Sequence, residues 1–194
     1  MPTQSGLRAV ARSSCPGIRT VWTRSSHAVT ACSSRGGVPG VLTKDGRTGF
    51  ECALIRAALG QGKPILGSCN GMQLLGQILG ATFMESIAAE LPEALDHCRL
   101  PVPSITTHAV TLTPGSRLRS MAGTKETSVN SLHCQAIAGT GAFAVPARAP
   151  DGVVEAIEAV GQSFAVGVQW HPEYRLTALD DAIMAAFVTA SRPA

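Results

Sequence analysis

The stretch GKPILGSCNGMQLLGQILG, from Gly62 to Gly80, constrains the fold of this chain more than any other. PILG is a short apolar run bounded by glycine, which reads as a buried strand. Directly after Cys69, Met72, Leu75 and Leu79 recur at helical spacing until Gly80 stops the pattern. A chain that passes from buried strand to helix with no loop between has to bend within a residue or two. Gly67-Ser68-Cys69-Asn70-Gly71 has the Gly-x-nucleophile-x-Gly form of such an elbow, where side chains larger than glycine would strike neighbouring backbone. The bend leaves Cys69 projecting at the carboxyl edge of a sheet. It also sets the sulfur at a helix N-terminus, whose unpaired N–H groups and dipole stabilise negative charge. The Asn70 N–H is then placed to donate to an oxyanion. The competing reading is that Cys69 is a small buried apolar side chain, as free cysteine commonly is.

The flanking sequence supplies the rest of an α/β sheet. GFECALIRAALGQGKP predicts a helix with Phe50, Leu54, Ala57 and Ala58 on one face, ended by Gly60-Gln61-Gly62 and kept from continuing by Pro64. Helix, strand and helix in succession is the grammar of a parallel sheet. The second half differs. HAVTLTPGS reads as a strand and turn, and FAVPARAPDGVVEAIEA as two strands joined through Ala149-Pro150-Asp151-Gly152. SFAVGVQWHPE is a further strand ending in a polar cluster, and ALDDAIMAAFVTAS a closing helix with Leu179, Ile183, Ala186 and Phe187 inward. Asp180 and Asp181 read as the acidic first turn of that helix, stabilised by its dipole.

Composition narrows the function classes. With 194 residues, 45% hydrophobic and 15% charged, the chain suits one ordinary domain with a buried core. The net charge of +3 is unevenly spread: residues 1–44 hold Arg8, Arg12, Arg19, Arg24, Arg35 and Lys44 and no acid. That leaves ten of the 16 basic residues against all 13 acidic ones, and no basic face for nucleic acid is expected in the folded part. No apolar run reaches the roughly 18 residues of a membrane span, so no membrane partner is expected. The six cysteines, Cys15, Cys32, Cys52, Cys69, Cys98 and Cys134, show no C-x-x-C spacing. Disulfides are therefore not expected, and a reducing cytoplasm is the expected compartment. His97-Cys98 and His133-Cys134 are adjacent pairs, poor geometry for one ion, so no metal is expected. His27 and His108 carry no interpretable signal.

A second motif decides how Cys69 is read. In Gln169-Trp170-His171-Pro172-Glu173 a histidine follows a buried strand and stands one proline from a carboxylate. Strand ends at one edge of a parallel sheet meet in space, so His171 can approach Cys69. Pro172 restricts its neighbours' backbone, helping Glu173 fold onto the imidazole and fix its tautomer. Nucleophile, base and orienting carboxylate together follow the logic of a catalytic triad. Alone, His-Pro-Glu would more often be an uncatalytic surface pair; the two motifs in this order favour Cys69 as nucleophile.

GFECALIRAALGQGKPILGSCNGMQLL, VNSLHCQAI, APDGVVEAIE and GVQWHPE, spread in order through most of residues 48–175, resemble a class I glutamine amidotransferase domain. Within that group the chain is most similar to the gamma-glutamyl-gamma-aminobutyrate hydrolase family. The resemblance implies an α/β fold, a mostly parallel sheet flanked by helices of flavodoxin-like type, with an antiparallel extension in the second half. It implies Cys69 as nucleophile, His171 as base and Glu173 as its partner, with Asn70 at the oxyanion. Gln73 would hold the glutamyl group of the substrate, and Asn130, Ser131 and His133 would lie beside a thioester. For that loop a solvated turn, with Asn and Ser serving backbone bonds, is an equal alternative. The implied partner is a small gamma-glutamyl substrate, with no metal or organic cofactor. The substrate's amine half and the oligomeric state stay open: a homo-oligomer and a separate ammonia-using synthase partner are both compatible.

Two positions depart from the family pattern: Asn70 stands where arginine is usual, and His133-Cys134-Gln135 where His-His-Gln is usual. The amino-terminal end departs further. The family has two or three strands before the helix at Phe50, the last leading into a Pro-Gly-Gly type loop that supplies the second oxyanion donor. Here that place is taken by the basic segment, with Gly36-Gly37 or Gly40 as substitutes. The expected division is therefore an acid-free segment, residues 1–47, poorly ordered or replacing missing strands, and a hydrolase domain over residues 48–194. The segment is read as a transit peptide, a basic arm, or a damaged or wrongly started front end, the last being favoured. An inactive remnant is the non-enzymatic alternative.

Overall fold

The computed structural model describes residues 29–33, 46–98 and 105–192. A seven-stranded sheet forms its centre, and it is built around the strand read from PILG. That strand, β2 (Ile65–Cys69), is buried along its whole length. Strand β1 (Val29–Ser33) lies parallel to it, with Ser33 opposite Cys69. The sequence does not mark VTACS as a strand, because Thr and Ser dilute its apolar character. Part of the segment 1–47 thus adds a strand to the sheet; Gly36, Gly37 and Gly40 lie outside the described residues.

On the other side of β2 comes β9 (Ala165–Val168), also parallel, with Ser68 opposite Val168. Beyond it the pairing turns antiparallel, through β8 (Val154–Ala159), β7 (Phe143–Arg148), β4 (His108–Leu112) and β5 (Glu126–Val129). Parallel part and antiparallel extension are both present, and among the described residues the extension is the wider. The hairpin expected at Ala149–Gly152 joins β7 to β8, with Gly152 at φ 86°. A small antiparallel pair, β3 (Phe83–Met84) and β6 (Ala136–Ile137), stands apart.

Alternation along the strands buries both faces of the sheet, as strands covered on two sides require. On one face Ile65, Ile157 and Ala165 pack under α1 (Gly46–Gly60) and α2 (Asn70–Ile78), meeting Leu54, Ile55, Met72 and Leu75. On the other, Leu66, Ala156, Val166 and Val168 pack under α4 (Arg117–Ala122) and α5 (Ala178–Ala190), meeting Leu118, Leu179, Ile183 and Phe187. The short helix α3 (Ile87–Glu90) covers a third, smaller cluster with Ala149 and Val153.

Two expectations about helix faces change. In α1 the buried stripe is Leu54, Ile55 and Ala58, whereas Ala57 is exposed and Phe50 is 42% exposed. The helix is rotated so that the branched side chain of Ile55, not the ring of Phe50, fills the core. In α5, Asp180 does more than meet a helix dipole. It is buried and forms a capping box with Thr177, while its Oδ1 accepts a bond of 3.0 Å from the Trp170 indole. No helix among the described residues is long and apolar enough to cross a membrane.

Candidate active site

Cys69 ends β2 and stands at the N-cap of α2 with φ 51° and ψ −112°, one of two non-glycine residues at positive φ among those described. Such a conformation is sparsely populated for a side-chain-bearing residue and holds only where the surroundings impose it. Gly67 shows how the surroundings do so. A Cβ at that position would lie 2.7 Å from the Gly71 carbonyl carbon and oxygen, so helix backbone crosses directly over the strand. The elbow read from the sequence is therefore present, and its first glycine is a steric necessity.

β2 and β9 run parallel as neighbours, so the segments leaving them emerge at the same edge. The polypeptide beyond β9 places His171 before a short 3₁₀ turn, Pro172–Tyr174, with Pro172 at its first position. That turn carries Glu173 back to the imidazole: His171 Nδ1 and Glu173 Oε1 are 2.7 Å apart. Ser68, the residue before the nucleophile, has its hydroxyl 3.1 Å from Glu173 Oε2 and 3.2 Å from the Trp170 carbonyl oxygen. The strand bearing Cys69 and the turn bearing His171 and Glu173 are thereby joined.

Cys69 is 7% exposed; its Sγ is 3.7 Å from the donating Gln169 Nε2 and 3.9 Å from the Leu132 carbonyl oxygen. Gln73 is buried one turn along α2, and its Nε2 donates to the Gln135 carbonyl and to Gln169 Oε1, both at 3.3 Å. Asn70, the first residue of α2, is half-buried.

The residues of the loop 130–135 divide into two groups. Asn130 faces the His171 side, where its Oδ1 accepts from the His171 N–H at 2.8 Å and its Nδ2 donates to the His171 carbonyl at 2.9 Å. Ser131 and His133 turn the other way. Ser131 donates to the His97 carbonyl at 2.9 Å, and His133 Nε2 lies 3.4 Å from Glu155 Oε1. Gln169, Asn130 in its clamping role and Glu155 are features that reading the sequence missed. A signal for Glu155 existed: a carboxylate in VVEAIEA, on a strand buried from both sides, needs partners.

Cys134 and Cys98 are joined by a disulfide with Cα atoms 4.9 Å apart, which corrects the expectation that no disulfide forms. The absence of a short spacing motif does not bear on a bond between segments 36 residues apart. It also gives the departure at Cys134 a partner. Cys52 and Cys69 are free.

The arrangement is that of glutamine amidotransferase folds. The structure of a glutamine amido transferase from Methylobacillus flagellatus superposes with a TM-score of 0.65 at 14% identity, covering 87% of this chain and 78% of that one. A glutamine amidotransferase from Thermotoga maritima gives 0.56 at 18% identity, over 86% and 70%. The pattern of the peptidase C26 family matches residues 40–173, and the chain belongs to that family. Among similar proteins, gamma-glutamyl-gamma-aminobutyrate hydrolase PuuD of Escherichia coli strain K12 is 37% identical over 156 residues, 75% of this chain and 60% of that protein. Protein NtpR of Enterococcus hirae is 38% identical over 127 residues, 64% of this chain and 53% of that one. The chain spans 42% to 68% of the length of the curated relatives it matches.

Proposed function

We propose that the protein hydrolyses gamma-glutamyl amide bonds through a cysteine thioester, with Cys69, His171 and Glu173 as its catalytic residues. The observation that carries this reading is the 2.7 Å contact of His171 Nδ1 with Glu173 Oε1, on a turn tied through Ser68 to the strand that ends in Cys69. With the carboxylate accepting from Nδ1–H, Nε2 is the ring atom left to take and return a proton. Family membership and the similarity to a protein named gamma-glutamyl-gamma-aminobutyrate hydrolase support the substrate class.

The steps follow from those roles. The Cys69 thiol gives its proton to His171 Nε2, and sulfur attacks the side-chain carbonyl carbon of the glutamyl group. The Asn70 N–H, at the start of α2, is one donor to the oxyanion that forms. Collapse of that intermediate breaks the C–N bond, and His171 passes its proton to the departing amine. A thioester between Cys69 and the glutamyl carbonyl remains. Water, deprotonated by His171, attacks the thioester, and the proton returns to sulfur as glutamate leaves. Gln73 serves on the glutamyl side through its place one helical turn from the nucleophile. No step calls for a metal or organic cofactor.

Glutamate release from gamma-glutamyl-GABA and from glutamine, measured for the native chain and for Cys69→Ala and Cys69→Ser, tests the reading. Turnover in the native chain and its loss in both variants, with circular dichroism unchanged, is expected. Equal turnover in all three, or none in a folded native chain, overturns it.

A further inference from the structure

Behind the loop 130–135, and separate from the Cys69 elbow, three imidazoles converge on one buried carboxylate. Glu155 Oε1 on β8 lies 3.3 Å from His97 Nδ1, 3.5 Å from His108 Nε2 and 3.4 Å from His133 Nε2. The side chains of His97, His108, His133 and Glu155 are 1%, 6%, 0% and 0% exposed. Neither oxygen of Glu155 makes a hydrogen bond, nor does Nε2 of His108 or of His133. Buried polar atoms without partners are costly, and a group of them facing one another needs an explanation.

The opposite edges of the three rings decide what that explanation is. His108 Nδ1 lies 3.1 Å from the Ala109 carbonyl oxygen and His133 Nδ1 lies 3.0 Å from that of Gln135. A carbonyl oxygen only accepts, so both Nδ1 atoms carry the proton, and in a neutral ring Nε2 is then a bare lone pair. His97 is held the other way round: its Nε2 lies 2.8 Å from Asp151 Oδ2, so in the neutral ring Nδ1 is the lone-pair atom. Ser131 Oγ, 3.4 Å from that Nδ1, spends its proton on the His97 carbonyl. In their neutral forms the three rings thus turn nitrogen lone pairs toward one carboxylate. Only a cation satisfies all of them.

Protons are the alternative cation, and they fit less well. One proton on His97, between Asp151 and Glu155, leaves the Nε2 atoms of His108 and His133 facing Glu155 unsatisfied, and a second would bring like charges together, the His97 ring centroid being 4.8 Å from those of His108 and His133. The contacts of 3.3–3.5 Å also exceed the roughly 2.7–2.9 Å of a charge-assisted N–H···O bond. They do match another distance. Ligands about 2.0–2.2 Å from a metal at the centre of a tetrahedron stand about 3.3–3.6 Å apart.

We propose that His97, His108 and Glu155 bind a first-row divalent transition cation of the zinc class, with His133 Nε2 beside the carboxylate. His97, His108 and Glu155 offer ligand atoms within 4.8 Å of one another. Imidazole nitrogens in the majority select such a metal over magnesium or calcium. Asp151 on His97 Nε2 and the carbonyls on the other two rings are the outer partners that fix the rotation and tautomer of metal-bound histidines. The ion pins the segment bearing His97 against β8 and β4, and the Ser131 hydroxyl and His133 N–H, both bonded to the His97 carbonyl, tie the loop 130–135 to it. In doing so it holds the loop whose Asn130 clamps His171 and whose Leu132 carbonyl lies against Cys69. The sequence-based expectation of no metal rested on adjacent Cys–His pairs; these ligands come from three separate segments.

The test uses the full chain, stripped with a chelator and dialysed, and reads metal rather than turnover, so it is independent of the hydrolase proposal. Calorimetric titration with Zn²⁺ is expected to give one saturable site per chain, and Co²⁺ the visible bands of a tetrahedral nitrogen–oxygen site. Zn²⁺ is expected to raise the melting temperature by several degrees and EDTA to reverse it. His108→Ala and Glu155→Gln are expected to lose the cobalt bands. A folded native chain showing no saturable uptake overturns the proposal. So does a folded His108→Ala or Glu155→Gln variant that binds as the native chain does, or a thiolate-to-cobalt band that moves the ligands to cysteine. If both variants fail to fold, the native titration and its visible spectrum decide the matter.

Discussion

Ser68 and Glu173 face each other at 3.1 Å, hydroxyl to carboxylate, across the gap between the strand that ends in Cys69 and the turn that carries His171. The residue beside the candidate nucleophile thus holds the group that orients the candidate base. Hydrogen bonds to charged groups are worth about 1.5–3 kcal/mol, although Glu173 is partly exposed and shares Ser68 with the Trp170 carbonyl. Ser68→Ala is expected to lower kcat for glutamate release roughly tenfold with little change in KM, and Glu173→Gln to lower it more. Steady-state kinetics on gamma-glutamyl-GABA checks both, and equal loss in kcat and gain in KM would assign Ser68 to substrate binding instead.

Asn130 makes two hydrogen bonds to the His171 backbone, one in each direction, and it is fully buried. Asn130→Ala removes the acceptor of the His171 N–H and one of two donors to its carbonyl, which keeps the Tyr174 N–H at 3.3 Å; the buried N–H sets the cost at about 1–3 kcal/mol. Asn130→Asp keeps an acceptor for the N–H but offers no donor to the carbonyl, and is expected to be destabilising too. Urea unfolding of the two variants against the native chain measures this. A change under about 0.5 kcal/mol, the scatter of surface substitutions, would show that Asn130 does not clamp His171.

Gly67 and Gly167 face α2 from neighbouring strands and respond differently to an added methyl group. At Gly67 the methyl meets helix backbone at 2.7 Å, which only a shift of α2 relieves. At Gly167 it meets side-chain carbons of Met72 and Ile157 at 2.9–3.0 Å, and the flexible Met72 can give way. Gly67→Ala is expected to cost more than the roughly 1–3 kcal/mol of ordinary overpacking, and Gly167→Ala to fall within it. Thermal melts of both variants give the comparison, and the reverse order would show that the elbow tolerates displacement.

The disulfide between Cys98 and Cys134 closes a loop with a sequence separation of 36. Loop-closure entropy assigns about 3–4 kcal/mol to a bridge of that span. Reduction is expected to lower the melting temperature markedly, and Cys134→Ser to match the reduced chain. Coincident melts with and without reductant would show that the bond contributes nothing.

Asp180 accepts bonds from the Trp170 indole, from the Leu176 N–H and from the Thr177 N–H, at 3.0, 2.9 and 3.0 Å. Asp180→Ala removes the capping box and leaves a buried indole N–H unpaired. Caps are worth about 1 kcal/mol and an orphaned buried donor about 1–3 kcal/mol. A loss of about 2–4 kcal/mol in urea unfolding is expected, with Asp181→Ala, whose side chain is exposed, nearly neutral.

What the sequence determined by itself is what local geometry enforces. Glycine beside Cys69 is legible because a tight strand-to-helix bend admits nothing larger, and proline before Glu173 because it limits how the chain can turn. The helices after Gly46 and after Asn70, and the strands around Ala149–Gly152, follow from spacing of apolar residues over a few turns. The tertiary structure decided the rest. Which face of α1 is buried depended on how the helix sits against the sheet, so Ile55 rather than Phe50 went inside. Cys98 and Cys134 were paired, and His97, His108, His133 and Glu155 gathered, by segments that no local period connects. Side chains on separate elements share no repeat in the sequence, and only the packing of those elements gives them a common centre.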